Sequence, residues 1–422
     1  MRIKNLILTL KMPRKYDKVI HFAVLVLILF GTIMIISTNV GNSSQDPLII
    51  VKVLIKQVMF IIASYILMTF FANNFTLTRA KSLFLPVGVM IFIALLSTQF
   101  FQDVNGSKAW IRIPLIQNIE ITLQPSEFAK VFMIVIMALF IKLASNRNYE
   151  FWTIVRFPVF FFIAFAAAIL LQKDMGAILV MGLICAVCFL ISSHKNLRKQ
   201  QIWVKRIFLF GAIAMFFVMS QPVIDMLNKV DFLSHVAVRI ENAINPFTEP
   251  HGKGYQLING LYGFARGGLP GVGLGNSIQK YGYLTQSDND FILSIIVEET
   301  GLFGLMMVTL GYFVIICRLF VFAYHSKSEA YKIILVGTAM YIFVHFALNV
   351  GGVSGLIPLT GVPLLFISSG GSSLMSIMTA IGISQSVIAQ IRRQGTVVKR
   401  KKEPQGVGGS LRKGRGETKI GG

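Results

Sequence analysis

Cations, carboxylates and a glycine-rich backbone come together between Arg239 and Gly304. The cations are Arg239, Lys253, Arg266 and Lys280, and the carboxylates Asp288 and Asp290 stand just before a new apolar run that carries Glu298 and Glu299. A carboxylate can take a proton while cations hold an anion, so this set is a candidate active site. The segments Gly252-Lys-Gly-Tyr-Gln256 and Arg266-Gly-Gly-Leu-Pro-Gly-Val-Gly-Leu-Gly275 read as tight turns that another group can approach closely. Residues eight apart on a helix lie near one face, so Asp290 and Glu298 are expected to line one cavity. On sequence alone Ser287-Asp-Asn-Asp290 reads first as a helix N-cap cluster, and Asp290, partly desolvated there, as a general base only second.

A second polar group opens another apolar run. Pro125 is placed where a helix start loses nothing by its missing N–H, Glu127 falls in the first turn, and Lys130 shares its face. Asp174, in Leu171-Gln-Lys-Asp-Met-Gly176, is expected on the same side of the membrane. Charge at membrane depth is costly unless paired, so Glu127, Lys130 and Asp174 are read as a buried ion-pair network, structural or otherwise. Upstream, the residues around Trp110 alternate apolar and polar, as in a segment lying in the membrane interface. Near the end, Gly355 to Leu374 holds two prolines and several serines, the pattern of a broken or re-entrant segment. Ser372 and Ser373 there either cap the last helix or touch a substrate.

Composition says what must hold these residues. Of 422 residues, 55% are hydrophobic and 14% charged, with a mean hydropathy of +0.70, which excludes an ordinary soluble domain. Apolar runs of spanning length fall near 18–39, 51–72, 80–100, 125–144, 157–173, 176–193, 207–221, 291–322, 332–352 and 371–390. The expected fold is an all-α polytopic membrane protein of about ten transmembrane helices, with a large outer loop, 222–290, between the seventh and eighth. Residues 1–17 are expected as a basic cytoplasmic arm, 18–390 as the membrane domain, and 391–422 as a disordered basic cytoplasmic tail. The net charge of +22 points to membrane lipids and not to nucleic acid, because about 29 of the Lys and Arg fall on the inner side when the N-terminus is cytoplasmic. Cys185, Cys188 and Cys317 lie in apolar runs and read as packing, and the six histidines show no ligand spacing.

The motifs Gly106-Ser-Lys-Ala-Trp-Ile111, Gln124-Pro-Ser-Glu-Phe-Ala-Lys130, Gln172-Lys-Asp-Met-Gly176, Gly254-Tyr-Gln256, Gly273-Leu-Gly-Asn-Ser-Ile-Gln-Lys280, Asp290-Phe-Ile with Glu298-Glu299, and Ile367-Ser-Ser-Gly-Gly-Ser-Ser373 follow one another in order. Together they resemble the shape, elongation, division and sporulation (SEDS) family over nearly the whole chain, and the Gly273–Lys280 spelling looks more like its division branch. The resemblance implies ten membrane helices with both termini cytoplasmic, in a bacterial plasma membrane at the division septum. It implies a peptidoglycan glycosyltransferase that polymerises lipid II during septal wall synthesis. The implied partners are a class B penicillin-binding protein transpeptidase and other divisome membrane proteins. Asp290 takes the place of the family's essential aspartate, and Trp110 that of its outer-loop tryptophan. Lys108, Arg112, Arg239, Lys253, Arg266 and Lys280 become candidates for the pyrophosphate, with Gln256, Glu298, Ser372 and Ser373 beside the substrate. The residues fix no cofactor, and a divalent cation, Mg2+ or Mn2+, could also serve the leaving group.

The chain departs from the family pattern at Leu284-Thr-Gln286, Asp288-Asn289, Ala109, Lys173 and around Thr360. Two other classes are consistent with the residues: a transporter that flips the same lipid using Lys130, Asp174 and Glu298, and a noncatalytic divisome scaffold. Replacing Asp290 separates them from an enzyme.

Overall fold

A backbone in hydrocarbon must satisfy its own N–H and C=O groups, which leaves helices as the natural solution for a chain this apolar. The computed structural model describes all residues except 1–8, 42–46, 103–106, 117–118, 146–148, 403–422 and, within 219–253, all but 223, 226, 240, 241 and 244–248. The described residues form ten helices of 17 residues or more: α1 (Lys18–Val40), α2 (Ile49–Asn74), α3 (Leu77–Ser97), α4 (Pro125–Ala144), α5 (Phe151–Leu171), α6 (Met175–Ile191), α7 (Arg198–Val218), α9 (Ile292–His325), α10 (Glu329–Val353) and α11 (Gly371–Lys402), with the shorter α8 (Tyr255–Gly267) between α7 and α9. Seven of them, α1, α2, α3, α5, α9, α10 and α11, are long and apolar enough to cross a membrane, and α6 is a shorter apolar helix. The chain is thus a multi-pass, helical membrane protein.

Helix starts follow local chemistry. The carboxylate of Asp17 accepts the Ile20 amide at 3.0 Å and opens α1, Thr76 caps α3 through the Arg79 amide, and Pro125 takes the first position of α4. At the centre, α10 packs on α4, α6, α9 and α11, while α11 lies along α2 and α1 along α9. Small residues let backbones meet: a Cβ on Gly382 of α11 would overlap the carbonyl of Met68 on α2.

One expectation gains detail and one is corrected. The stretch after Trp110, expected to lie in the interface, folds as a hairpin, β1 (Ile111–Ile116) antiparallel to β2 (Ile119–Leu123), with Ile111 opposite Leu123 and Ile113 opposite Ile121. Its alternation has the period of a strand, and a hairpin can sit where backbone is not facing lipid. The last helix also runs past the expected boundary at 391 as far as Lys402, because Arg, Gln and Lys are good helix formers and proline first appears at Pro404. The expected N-terminal arm to residue 8, most of the outer loop 222–253 and the tail from 403 lie outside the described residues.

Candidate active site

The site is organised by a break in α9. Gly301 has φ 64° and ψ −155°, which interrupts the helix and frees the carbonyls of Glu298 and Glu299 and the amide of Leu302 from helical partners. Residues 268–273 supply substitutes. The amides of Val272 and Gly273 donate to the carbonyls of Glu298 and Glu299 at 2.9 and 3.0 Å, and the Leu302 amide donates to those of Gly268 and Leu269 at 3.1 and 3.0 Å. Helix α8 delivers that strap by burying Leu257, Ile258, Gly260, Gly263 and Gly267 against α9. A Cβ on Gly267 would overlap the Val297 carbonyl. The glycines at 260, 263 and 267 therefore form one face of a packed helix, and the expected turns begin only at Gly268.

The two glutamates beside the break consume two of the candidate cations. Glu298, fully buried, accepts from Arg266 Nη1 at 2.8 Å, from Ser277 Oγ and from the Ile278 amide at 3.0 Å. Glu299 pairs with Lys280 at 3.1 Å, both side chains fully buried, and accepts from Ser37 Oγ at 2.7 and 2.8 Å. Lys280 also donates to the Gly275 carbonyl at 2.6 Å. Two expectations change here. Lys280 is a buried counter-ion and does not face a substrate, and Glu298 fastens the 277–279 turn instead of sharing a cavity with Asp290. The physical signal was present: adjacent carboxylates in an apolar helix each demand a partner. Arg266 remains 39% exposed and so keeps donors at the surface.

Asp290 lies in a different cleft. Its carbonyl accepts from Asn349 Nδ2 at 2.8 Å, and the same nitrogen donates to the Val362 carbonyl at 2.9 Å. The Asp288 carbonyl accepts from the Ser369 amide at 2.9 Å. Asp290 is half-buried and lines a narrow crevice, closed to a water-sized sphere in this structure, together with Asn349, Leu359, Thr360, Gly361 and Val362. A Cβ on Gly361 would come within 3.7 Å of Asp290 Oδ2. The wall opposite Asp290 is the expected broken segment: residues 354–370 are non-helical, yet Val362 and Leu364 to Ile367 are buried. Ser372 and Ser373 belong to its anchorage. Ser372 Oγ accepts the Gln124 amide at 2.8 Å and donates to the Thr122 carbonyl at 3.0 Å, and Ser373 Oγ donates to Gly370 at 2.7 Å. Both are buried, and these bonds tie the start of α11 to β2 and to the turn before it; neither is a bond to an α11 amide of the kind a helix cap makes. Gln256 bonds Thr285 Oγ1 and ties α8 to the stretch before Asp290.

At the start of α4, Lys130 Nζ lies 2.7 Å from Glu127 and 3.1 Å from His345 Nε2. Tyr341 donates to the other Glu127 oxygen at 2.6 Å and meets Ser376 Oγ at 2.7 Å, while His345 Nδ1 lies 3.2 Å from the Pro363 carbonyl. The expected trio is thus amended. Asp174 is not within ion-pair reach of Lys130; it caps α6 through the Ala177 amide at 3.0 Å and accepts Gln124 Nε2 at 2.9 Å. Burial pushes its carboxyl up, against the opposing pull of the Ala177 amide and Lys130. Tyr341 and His345 were missed, although their spacing of four along an apolar helix puts both on one face.

The hairpin docks nearby. Ser107 Oγ and the Lys108 amide donate to the Gln172 carbonyl at 2.8 and 3.1 Å. Trp110 and Arg112 are half-buried and Lys108 is exposed. Arg239 and Lys253 lie outside the described residues. Among the described residues no group of three or more His, Cys, Asp or Glu is built to hold a metal ion.

With this geometry in hand, the chain matches the family model described as Cell cycle protein (FtsW, RodA, SpoVE) over residues 17–393. It is 31% identical over 402 residues to a protein of Enterococcus hirae named probable peptidoglycan glycosyltransferase FtsW, covering 92% of this chain and 96% of that protein. A Bacillus subtilis protein of the same name is 32% identical over 404 residues, 93% and 95% of the two chains. Among solved structures, a chain from "Structural coordination of polymerization and crosslinking by a peptidoglycan synthase complex" has a TM-score of 0.66 at 21% identity, over 90% of this chain and 99% of that one. The crystal structure of the Thermus thermophilus rod shape determining protein RodA gives 0.56 at 18%, over 89% and 97%. Both share the fold.

Proposed function

The chain belongs to the FtsW/RodA/SpoVE family of cell cycle proteins, and we propose that it is a peptidoglycan glycosyltransferase that polymerises lipid II, with Asp290 as its general base. The observation that carries this reading is the placement of Asp290: a half-buried carboxylate beside a narrow crevice between α10 and the 354–370 segment. Asp290 takes the proton of the acceptor sugar's 4-hydroxyl as that oxygen attacks the donor's anomeric carbon. The bond to the pyrophosphate breaks, and the lipid pyrophosphate leaves with the electron pair. Lys108, Arg112 and the exposed donors of Arg266 are the described cations suited to that anion, and Trp110 on the docked hairpin offers a face for a sugar. No step is assigned to a metal ion.

The basic segments place both termini in the cytoplasm and the Asp290 cleft at the outer face, where lipid-linked precursors are joined. The protein works at the division septum with a class B penicillin-binding protein that cross-links the strands. Reconstituted with that partner, whose own polymerising activity must be absent, the wild type is expected to make glycan strands from purified lipid II. Asp290→Asn is expected to lose about 10²–10⁴-fold in rate while folding and binding the partner normally. Equal polymer from both would remove Asp290 as the base.

A further inference from the structure

The wall facing Asp290 is held residue by residue. A Cβ on Gly176 of α6 would lie 2.7 Å from the Thr360 carbonyl oxygen, and one on Gly361 would lie 3.7 Å from Asp290 Oδ2. The Val362 carbonyl accepts from Asn349 Nδ2 at 2.9 Å, and the Pro363 carbonyl lies 3.2 Å from His345 Nδ1. The last of these contacts belongs to the ion-pair network. Lys130, bound to Glu127 at 2.7 Å, can only donate, so His345 Nε2, 3.1 Å from Lys130 Nζ, is an acceptor. Its partners thus assign the ring's proton to Nδ1, aimed at Pro363. His345 is fully buried, and with both nitrogens engaged it has no polar atom left for a ligand.

We infer that His345 is a positioning residue for the base: Lys130 holds it in the Nδ1–H tautomer, and through Pro363 it fixes the 360–363 wall against the Asp290 carboxylate. The inference rests on the reading of Asp290 as the base. Residues 354–370 are non-helical, so this wall takes its shape from bonds that its neighbours make to its backbone. His345 and Asn349, one turn apart on the same face of α10, pin two consecutive carbonyls. Between them they set the backbone beside Gly361, whose φ of 67° is a left-handed conformation suited to glycine. The crevice on this side is closed to a water-sized sphere, so Asp290 is backed by the wall and meets a hydroxyl from its exposed side. Loosening Pro363 therefore costs orientation at the reacting oxygen and not affinity for the substrate.

The test uses the full chain with its partner in liposomes and lipid II as the probe. Two amides divide the functions of the ring. His345→Asn sets an N–H donor where Nδ1 stands and loses the bond to Lys130, whereas His345→Gln reaches Lys130 and loses the donor to Pro363. Each gives up one buried bond, so both melting temperatures should fall similarly. Turnover should separate them: per folded protein, His345→Gln is expected to lower kcat about tenfold or more with KM for lipid II within about twofold, and His345→Asn to keep kcat within about threefold. Equal kcat in the two variants, at the wild-type value or below it, would overturn the inference, and so would a tenfold rise in KM with unchanged kcat in His345→Gln. If either variant fails to fold, the wild type decides. With its histidines labelled with 15N, the ring best protected from hydrogen exchange is expected to carry its proton on Nδ1, and a proton on Nε2 would overturn the inference. Failure of the parent reading looks different, since Asp290→Asn would then polymerise at the wild-type rate.

Discussion

The Glu127–Lys130 network and the Asp290 cleft share one wall, the 360–363 segment, yet they use their hydrogen-bonding capacity differently. In the first, both carboxylate oxygens of Glu127 have partners, as do both ring nitrogens of His345. In the second, the buried Oδ1 of Asn349 has no hydrogen-bond partner among the described residues. A buried network with its hydrogen bonds made is a strut, whereas the crevice beside Asp290 keeps an acceptor that no protein donor reaches. On the proposed function, the difference separates polar groups that hold this membrane protein together from the carboxylate assigned to catalysis.

Mutations that sharpen the contrast should divide stability from turnover. Lys130→Met strands the buried Glu127 carboxylate and is expected to cost about 3–5 kcal/mol, read as a lowered melting temperature of the purified protein, with part of the loss recovered by adding Glu127→Gln. Asp290→Asn should leave the melting temperature nearly unchanged, within about 0.5 kcal/mol; a loss as large as that of Lys130→Met would erase the distinction. Gly267→Ala sets a methyl against the Val297 carbonyl and should cost about 1–3 kcal/mol, with faster hydrogen exchange at Val272 and Gly273 as the strap loosens.

The smallest effect belongs to the opposite end of the bundle. Asp17 there pairs with Arg318 at 2.5 Å and Arg392 at 2.7 Å. Burial pushes its carboxyl up, but Arg318, the Ile20 amide and Arg392 outweigh this and leave it below its ordinary 3.8. Its contribution is therefore complete above that value and is lost as the pH falls through the lower folded one. Asp17→Asn keeps the cap, should cost about 1 kcal/mol at neutral pH, and should flatten the acid limb of the wild-type melting curve.

Much of this was legible in the sequence, for physical reasons that can be named. Apolar runs marked the helices because lipid admits few alternatives, and Pro125 marked the start of α4. The motif residues converge on one end, as Ser372, Gln124 and Asp174 do through consecutive hydrogen bonds. What escaped was the division of labour among charges. Lys280 and Arg266 looked like a pair of anion binders, because sequence spacing does not say which carboxylate will be buried beside which cation. Helix α8 escaped because glycine has one spelling for a turn and for a close helix crossing. Asn349 drew no notice beyond ending an apolar run, since only the placement of two carbonyls shows which way its amide must face.

The fit of α11 against α2, with Gly382 meeting the backbone at Met68, and the grip of Gln385 and Arg392 on Asp17 have a consequence for biosynthesis. The second helix to be made finds its main neighbour only when the last one arrives. Until then its inward face must be covered by lipid or by a chaperone, and the N-terminal cap lacks its clasp. Closing the bundle is thus a late event in the life of the nascent chain, and a chain stalled before α11 would remain open along that seam.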